Sequence, residues 1–509
     1  MRSSRLRTVL SVIFFVLQVA SEGLAAMVVL RLDVLPDKYL LLMLTALLLL
    51  AVLTAGLLFL RGKNPVSLTR QIVGWVLAIL IAVGCLLVGK IATDAYRTLH
   101  EMTKPTGQTS VYNMYILVRT DDPAQTVADA ADYPFGIIAD YDEEHTQQAI
   151  LQTQEQTGKT LNVTPFEMIS GLADAILNKQ VDAVFMNGAA MILLTEDEAY
   201  EDFLEKVRIL QTIPLTQLVQ TEPPTEPSTD PTVDERNVTN SPFIVYISGS
   251  DTRNKKLKIS RSDVNILAVV NPVTKQVLLL NTPRDYYVAN PAGNGKLDKL
   301  THCGLYGPEC SMEALEILYG IEVDYYAQIN FTGVETLVDA VGGITVDSPQ
   351  AFRCGDLRDV QIVKGENYLN GKEALAFARE RYNVKGGDNG RGKNQMRVIT
   401  AIIQKLTTGT TVISNYSSIL KSMEGMFRTT VSMDQISMLV KMQLNDMASW
   451  NIQSYAATGT GGSEKNYSSP GHKAYVMYPN KASVAYASAL VERVLAGENL
   501  TAEDMVVPN

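Results

Sequence analysis

Cysteine is scarce, with four in 509 residues. That excludes a scaffold built on disulfides and, with only His302 near the Cys303–Cys310 pair, makes a zinc site improbable. No Gly-rich segment ending in Gly-Lys-Ser/Thr occurs, so no phosphate-cradling P-loop supports a kinase or nuclease. Positive charge is in deficit, 44 Lys and Arg against 54 Asp and Glu, a net charge of −10. An acidic whole argues against a nucleic-acid partner. The N-terminal stretch also lacks the small-residue cleavage pattern of a signal peptide.

What is present begins with apolar runs. Residues 6–30, 39–60 and 71–91 are each long enough to cross a bilayer, which takes about 20 residues. The first is interrupted by Ser21, Glu22 and Gly23. Arg2, Arg5 and Arg7 stand at its N-terminal end, and Arg61, Lys63 and Arg70 separate the second from the third. Positive flanks stay on the cytoplasmic side, so three crossings place everything after about residue 93 outside the cell. Residues 1–95 are thus expected to be a multi-pass anchor.

Two soluble units are expected beyond it. In residues 96–215, strands are predicted at 111–118, 135–138 and 181–186, and helices at 143–157 and 165–178. This small α/β unit resembles one lobe of an extracellular solute-binding protein; a spacer without a ligand is the alternative. Residues 216–241, rich in Pro, Thr and acid, read as a semi-extended linker. The stretch 242–509 mixes strands (243–247, 266–270, 277–281) with helices (311–318, 330–341, 371–379, 395–406), again α/β. Cys303 and Cys310, separated by six residues with a His alongside, are either a disulfide or two free thiols.

Inside this second unit lies a cationic knot. Arg379, Arg381, Arg391 and Arg397, with Lys385 and Lys393, fall within residues 377–399. Guanidinium forks match phosphate oxygens bidentately and never deprotonate, so the segment predicts a phosphate-bearing ligand. Arg379 and Arg381 share a side only if the backbone there is extended. Arg391 and Gln395 share a helix face if the helix has begun by 391. Gly386, Gly387, Gly390 and Gly392 are expected to let backbone approach a bulky anion. Asp251 and Asp263 close and open neighbouring strands, an arrangement suited to Mg²⁺ with substrate phosphates completing the shell.

Taken together, Ser-Gly-Ser-Asp251, Arg261-Ser-Asp263, Asn-Thr-Pro-Arg284-Asp285, Asp298-Lys-Leu-Thr-His, Val341-Gly-Gly-Ile-Thr-Val and Arg379-Glu-Arg381…Asp388-Asn-Gly-Arg391…Gln395 resemble the LytR-CpsA-Psr family. The three-span anchor and accessory unit resemble its capsule-associated branch. The resemblance implies a three-layer α/β/α sandwich around a mixed central sheet. It implies transfer of a glycopolymer (a wall teichoic acid, capsular polysaccharide or related glycan) from a polyprenyl pyrophosphate carrier to peptidoglycan as a phosphodiester. It puts Mg²⁺ on Asp251 and Asp263 and pyrophosphate on Arg261, Arg284, Arg379, Arg381 and Arg391. Asp388 and Gln395 complete the site, with Asp285 or Asp388 as candidate base. Asn281-Thr282 and Asn394 depart from the family pattern. A polyprenyl pyrophosphate phosphatase, or a non-catalytic scaffold or sensor for lipid-linked intermediates, is the alternative. The oligomeric state is not legible.

Overall fold

A computed structural model describes residues 2–60, 66–103, 111–216, 237–250, 252, 256–355, 357, 359–408 and 411–506. The apolar runs form helices α1 (Arg2–Leu32), α2 (Asp37–Phe59) and α3 (Leu68–Met102), all long and apolar enough to cross a membrane. Their leucines and valines point outward, as Leu41, Leu48 and Leu80 do, which suits a lipid surround. Glu22, the acid that interrupts the first run, is buried against neighbouring helix and accepts a 2.8 Å hydrogen bond from Gln18 Nε2. A polar group turned inward and satisfied costs far less than one facing hydrocarbon. Small residues let α1 and α3 approach: a Cβ on Gly89 would lie 3.8 Å from Ala25 Cα.

The accessory unit is a sheet of β1 (Val111–Arg119), β2 (Pro134–Ile138), β3 (Asn162–Phe166), β4 (Ala183–Asn187) and β5 (Val207–Thr216), in the order β3-β2-β4-β1-β5. Helices α4 (Glu143–Thr157), α5 (Ile169–Leu177) and α6 (Gly188–Thr195) cover it. The sequence expectation of a helix over 165–178 is corrected at its start. Residues up to Phe166 belong to β3, parallel to β2, and the apolar spacing becomes helical only from Ile169.

The larger unit is built on six strands: β6 (Phe243–Ser250), β7 (Ser262–Asn271), β8 (Gln276–Asn281), β9 (Tyr325–Asn330), β10 (Phe427–Thr429) and β11 (Asn451–Ala456). Their order is β10-β9-β6-β7-β8-β11, with β9 parallel to β6 and β11 parallel to β8 inside an otherwise antiparallel sheet. Alternation assigns the two faces. Leu278 and Leu280 share a core with Leu315 of α7 (Pro308–Tyr319), whereas Val277 and Leu279 meet Met396 on the opposite side. Both faces are covered by helices, so the fold is a three-layer α/β/α sandwich around a mixed sheet.

The two units share one apolar cluster, in which Ala190 and Leu194 of α6 join Leu305 and Tyr306. Within it runs a line of hydrogen bonds. Tyr141 Oη donates to Asn187 Oδ1 at 3.1 Å and lies 3.1 Å from Tyr306 Oη, which lies 3.1 Å from Ser468 Oγ. Ser468 donates to Asp298 at 2.5 Å. Cys303 and Cys310 are buried free thiols facing one another within the larger unit.

Candidate active site

Helix α8 (Phe331–Ala340) leads, through a pair of small hairpins, to α9 (Gly371–Arg379) and α10 (Gly387–Thr407). A capping box starts α9, with Asn370 accepting from the Glu373 N–H. The helix ends at Arg379 because Glu380 turns extended, φ −62° and ψ 125°. The Glu380 carboxylate then accepts backbone N–H groups from Arg381, Tyr382 and Asn383 on Oε1 (3.0, 2.9 and 2.9 Å) and from Gly355 on Oε2 at 2.5 Å. Burial raises the Glu380 carboxyl, but the donors from Asn383, Gly355 and Tyr382 outweigh it and hold it below its ordinary value. The sequence reading gave Glu380 no role. An acid wedged between two arginines of a cationic knot was the available signal.

The extended step at Glu380 places Arg379 and Arg381 on one side. They line a cavity of about 210 Å³ with Asp263, Arg391, Gln395, Phe331 and Tyr382. The Arg379 guanidinium lies 4.7 Å from the centre of the Phe331 ring, a cation–π contact that fixes a long side chain. Arg391 and Gln395, one helical turn apart, both reach the cavity because α10 starts before them.

That early start corrects the helix expected at 395–406, and the role expected of the glycines. Gly390 and Gly392 lie inside α10 and face the protein, not a ligand. A Cβ on Gly390 would collide with Lys385 O, and one on Gly392 would collide with Asn281 Nδ2. They allow close helix packing. Gly386 and Gly387 together provide the left-handed turn into the helix, at φ 90° and 54°.

Arg284 follows β8 and stands behind this wall. Its Nη1 bonds Asp263 Oδ1 at 2.6 Å, and its Nε lies 3.8 Å from Asp285 and 3.9 Å from Asp388. Burial lowers the Arg284 guanidinium, yet Asp263, Asp285 and Asp388 together raise it above its ordinary value. Arg391 goes the other way: burial and the like charges of Arg284 and Arg381 outweigh Asp388 and Asp263. An additional anion would relieve that cation. Asp388 Oδ1 lies 2.5 Å from Arg391 and 3.9 Å from Arg381, so one carboxylate orients three guanidinium groups.

The Asp298 segment supplies a second support. Asp298 is fully buried and accepts from Ser468, Asn290, the Lys299 N–H and His302. Lys299 then reaches Asp285 at 3.4 Å, and Thr301 Oγ1 reaches Asp263 at 3.4 Å. Lys299 is a further cation the sequence reading did not single out.

Three positions stand apart. Arg261 pairs with Glu196 of the accessory unit at 2.9 Å and does not line the cavity. Arg397 donates to Asn394 at 3.0 Å, while Asn394 Nδ2 donates to Phe377 O at 3.3 Å, so the departure at Asn394 ties α10 to α9. Asp251 lies outside the described residues. β6 ends at Ser250, paired with Ser262, one residue before Asp263. Among the described residues no group of three or more His, Cys, Asp or Glu gathers as a metal cage.

A family model, the LytR_cpsA_psr family, matches residues 216–483. A polyisoprenyl-teichoic acid–peptidoglycan teichoic acid transferase TagU of Enterococcus faecalis is 38% identical over 203 residues, covering 39% of this chain and 65% of the relative. The TagU of Bacillus licheniformis is 34% identical over 216 residues, covering 42% and 64%. The chain therefore spans just under two thirds of the length of these relatives. The crystal structure of TagV of B. subtilis aligns at 25% identity over 51% of this chain and 99% of its own, with a TM-score of 0.42.

Proposed function

This chain belongs to the LytR_cpsA_psr family, and from that premise we propose that it is a membrane-anchored phosphotransferase. It moves a glycopolymer from a polyprenyl pyrophosphate carrier to peptidoglycan and leaves a phosphodiester link. The observation that carries the reading is the convergence of Arg379, Arg381 and Arg391 on one cavity with Asp263 and Gln395. The names of the TagU relatives, teichoic acid transferases acting on peptidoglycan, support the same class of reaction.

The acceptor hydroxyl attacks the glycan-bearing phosphorus, a P–O bond forms, and the pyrophosphate bridge breaks to release polyprenyl phosphate. Negative charge grows on the equatorial and leaving oxygens. The guanidinium forks already stand where that charge develops, so little reorganisation is needed. Asp388 touches two of the cavity-lining arginines and is the carboxylate assigned to take the hydroxyl proton. Asp285, held by Lys299 and Arg284, positions those cations. Gln395 orients a phosphate oxygen or the attacking hydroxyl.

Mg²⁺ fits the donor set. Asp263 presents a hard carboxylate to the cavity, and few protein ligands with phosphate oxygens completing the shell is the ordinary pattern for this ion. Asp263 and Asp251 would hold it, and when bound it supplies fixed positive charge beside the phosphates. The polymer is a capsular polysaccharide, teichoic acid or related glycan. The catalytic unit works on the outer face, where lipid-linked glycan and peptidoglycan meet, with α1–α3 as anchor.

The test uses the purified full chain in detergent with a polyprenyl-pyrophosphate-linked oligosaccharide and peptidoglycan fragments. It is run with Mg²⁺ or chelator, beside Arg379→Ala. Mass spectrometry should find a phosphodiester conjugate that needs both Mg²⁺ and Arg379. Polyprenyl phosphate without conjugate would instead favour a phosphatase.

A further inference from the structure

The most exposed large apolar or aromatic side chain among the described residues is Tyr382, at 90%. It exceeds Leu41 at 68% and Leu80 at 64%, which lie on helices made to face lipid. A single exposed apolar residue needs no explanation in general. This one sits on the wall of the arginine-lined cavity.

Its backbone is not loose. The Tyr382 N–H donates to Glu380 Oε1 at 2.9 Å, and the N–H groups on either side, from Arg381 and Asn383, donate to the same oxygen. Glu380 itself is 5% exposed. The ring is thus carried on a clamped turn and projects into solvent. One face is approached by the Arg381 guanidinium, 6.0 Å from the ring centre. A cation on that side polarises the ring and leaves the other face open.

We propose that Tyr382 is a sugar-stacking platform at the mouth of the phosphate cavity, taking the apolar face of a pyranose ring. This rests on the phosphotransferase reading for the identity of the glycan. The chemistry suits the position. A pyranose shows one face of C–H groups, weakly positive, that matches the negative face of an aromatic ring. A tyrosine offers large flat area with two side-chain torsions to freeze, so little entropy is lost on contact. Phosphate held by Arg379, Arg381 and Arg391 fixes the depth of the substrate, and the ring beside them fixes the orientation of the first sugar outside the cavity. That sugar belongs either to the donor, attached to the pyrophosphate, or to the peptidoglycan acceptor.

Binding decides the matter without requiring turnover. The full chain in detergent is titrated with two probes, a polyprenyl-pyrophosphate-linked disaccharide and a peptidoglycan disaccharide, for wild type, Tyr382→Ala and Tyr382→Phe. Unglycosylated polyprenyl pyrophosphate is the control. The expected result is a Kd about three- to tenfold weaker in Tyr382→Ala for one glycan probe. The control is unchanged, and Tyr382→Phe stays within about twofold of wild type, since the ring and not the hydroxyl makes the contact. Which probe responds tells donor from acceptor. Equal Kd values for wild type and Tyr382→Ala with both glycans overturn the proposal, as does a matching loss with the unglycosylated control. Absence of conjugate from wild type in the preceding assay counts against the phosphotransferase alone, because the binding comparison still reads the platform.

Discussion

One carboxylate sets the turn that carries two of the cavity's arginines. Glu380 gathers four backbone N–H groups and so fixes the turn that brings Arg379 and Arg381 to one side. Its native carboxyl lies below the unfolded one, so the stability it contributes is present above the unfolded value of about 4.3 and is lost as pH falls through the native value. Glu380→Gln should therefore cost about 1–3 kcal/mol at pH 7. Urea unfolding should show the gap to wild type narrowing as pH is lowered towards about 3; a gap independent of pH would sink this account. Arg391 makes a second residue-scale test. Burial and the neighbouring guanidinium groups of Arg284 and Arg381 hold it below its ordinary value despite Asp388. Arg391→Ala should lower the conjugation rate by roughly 10²–10³. Arg391→Lys should recover only part, because an ammonium restores charge without the fork.

At the scale of elements, the site depends on how closely α10 lies on the sheet. Gly392 backs onto Asn281 at the end of β8, with no room for a Cβ. Gly392→Ala should cost about 1–3 kcal/mol through overpacking and move Arg391 and Gln395 out of register. Lys393→Ala, on the exposed side of the same helix, should stay within about 0.5 kcal/mol. Thermal unfolding with the rate assay separates the two. The sheet elements also show where sequence pattern stopped. β7 and β8 are apolar and joined by a short turn, so they were legible. β9, Tyr325–Asn330, buries only alternate residues, and β10 has three. Their strand character comes from pairing with β6 and with each other across the chain, which no local window contains.

Across the whole molecule, the three apolar helices, the accessory sheet and the larger unit are packed together. α3 runs on for 35 residues, about 52 Å at 1.5 Å per residue, well beyond a hydrocarbon core of about 30 Å. Its far end, at Ala95, Leu99 and Met102, meets Leu420 of the larger unit, and Lys441 pairs with Asp33 at 2.7 Å. That contact ties the larger unit to the end of α3. The accessory unit is joined by the buried line from Asn187 through Tyr141, Tyr306 and Ser468 to Asp298. Tyr141→Phe breaks the line where it passes from the accessory unit to the larger one and should cost about 1–2 kcal/mol. Differential scanning calorimetry of the full chain should show accessory and catalytic transitions drawing apart; a variant that unfolds as wild type does would show that the apolar contact alone joins them.

The sequence by itself determined the membrane helices, the α/β texture of both soluble units and the cationic segment, because each follows from side-chain chemistry and a period of 3.6 or 2 within a short window. It held both conditions for the site without deciding either: an extended step between Arg379 and Arg381, and a helix begun by Arg391. Tertiary structure decided both, through hydrogen bonds from Gly355 and packing against Asn281, groups remote in sequence. It also decided that Asp285 and Asp388 stand among the guanidinium groups they orient, and that Arg261 turns to Glu196 on another unit. Charge and propensity are local properties of a chain, whereas convergence depends on which strands pair and how near two backbones can come.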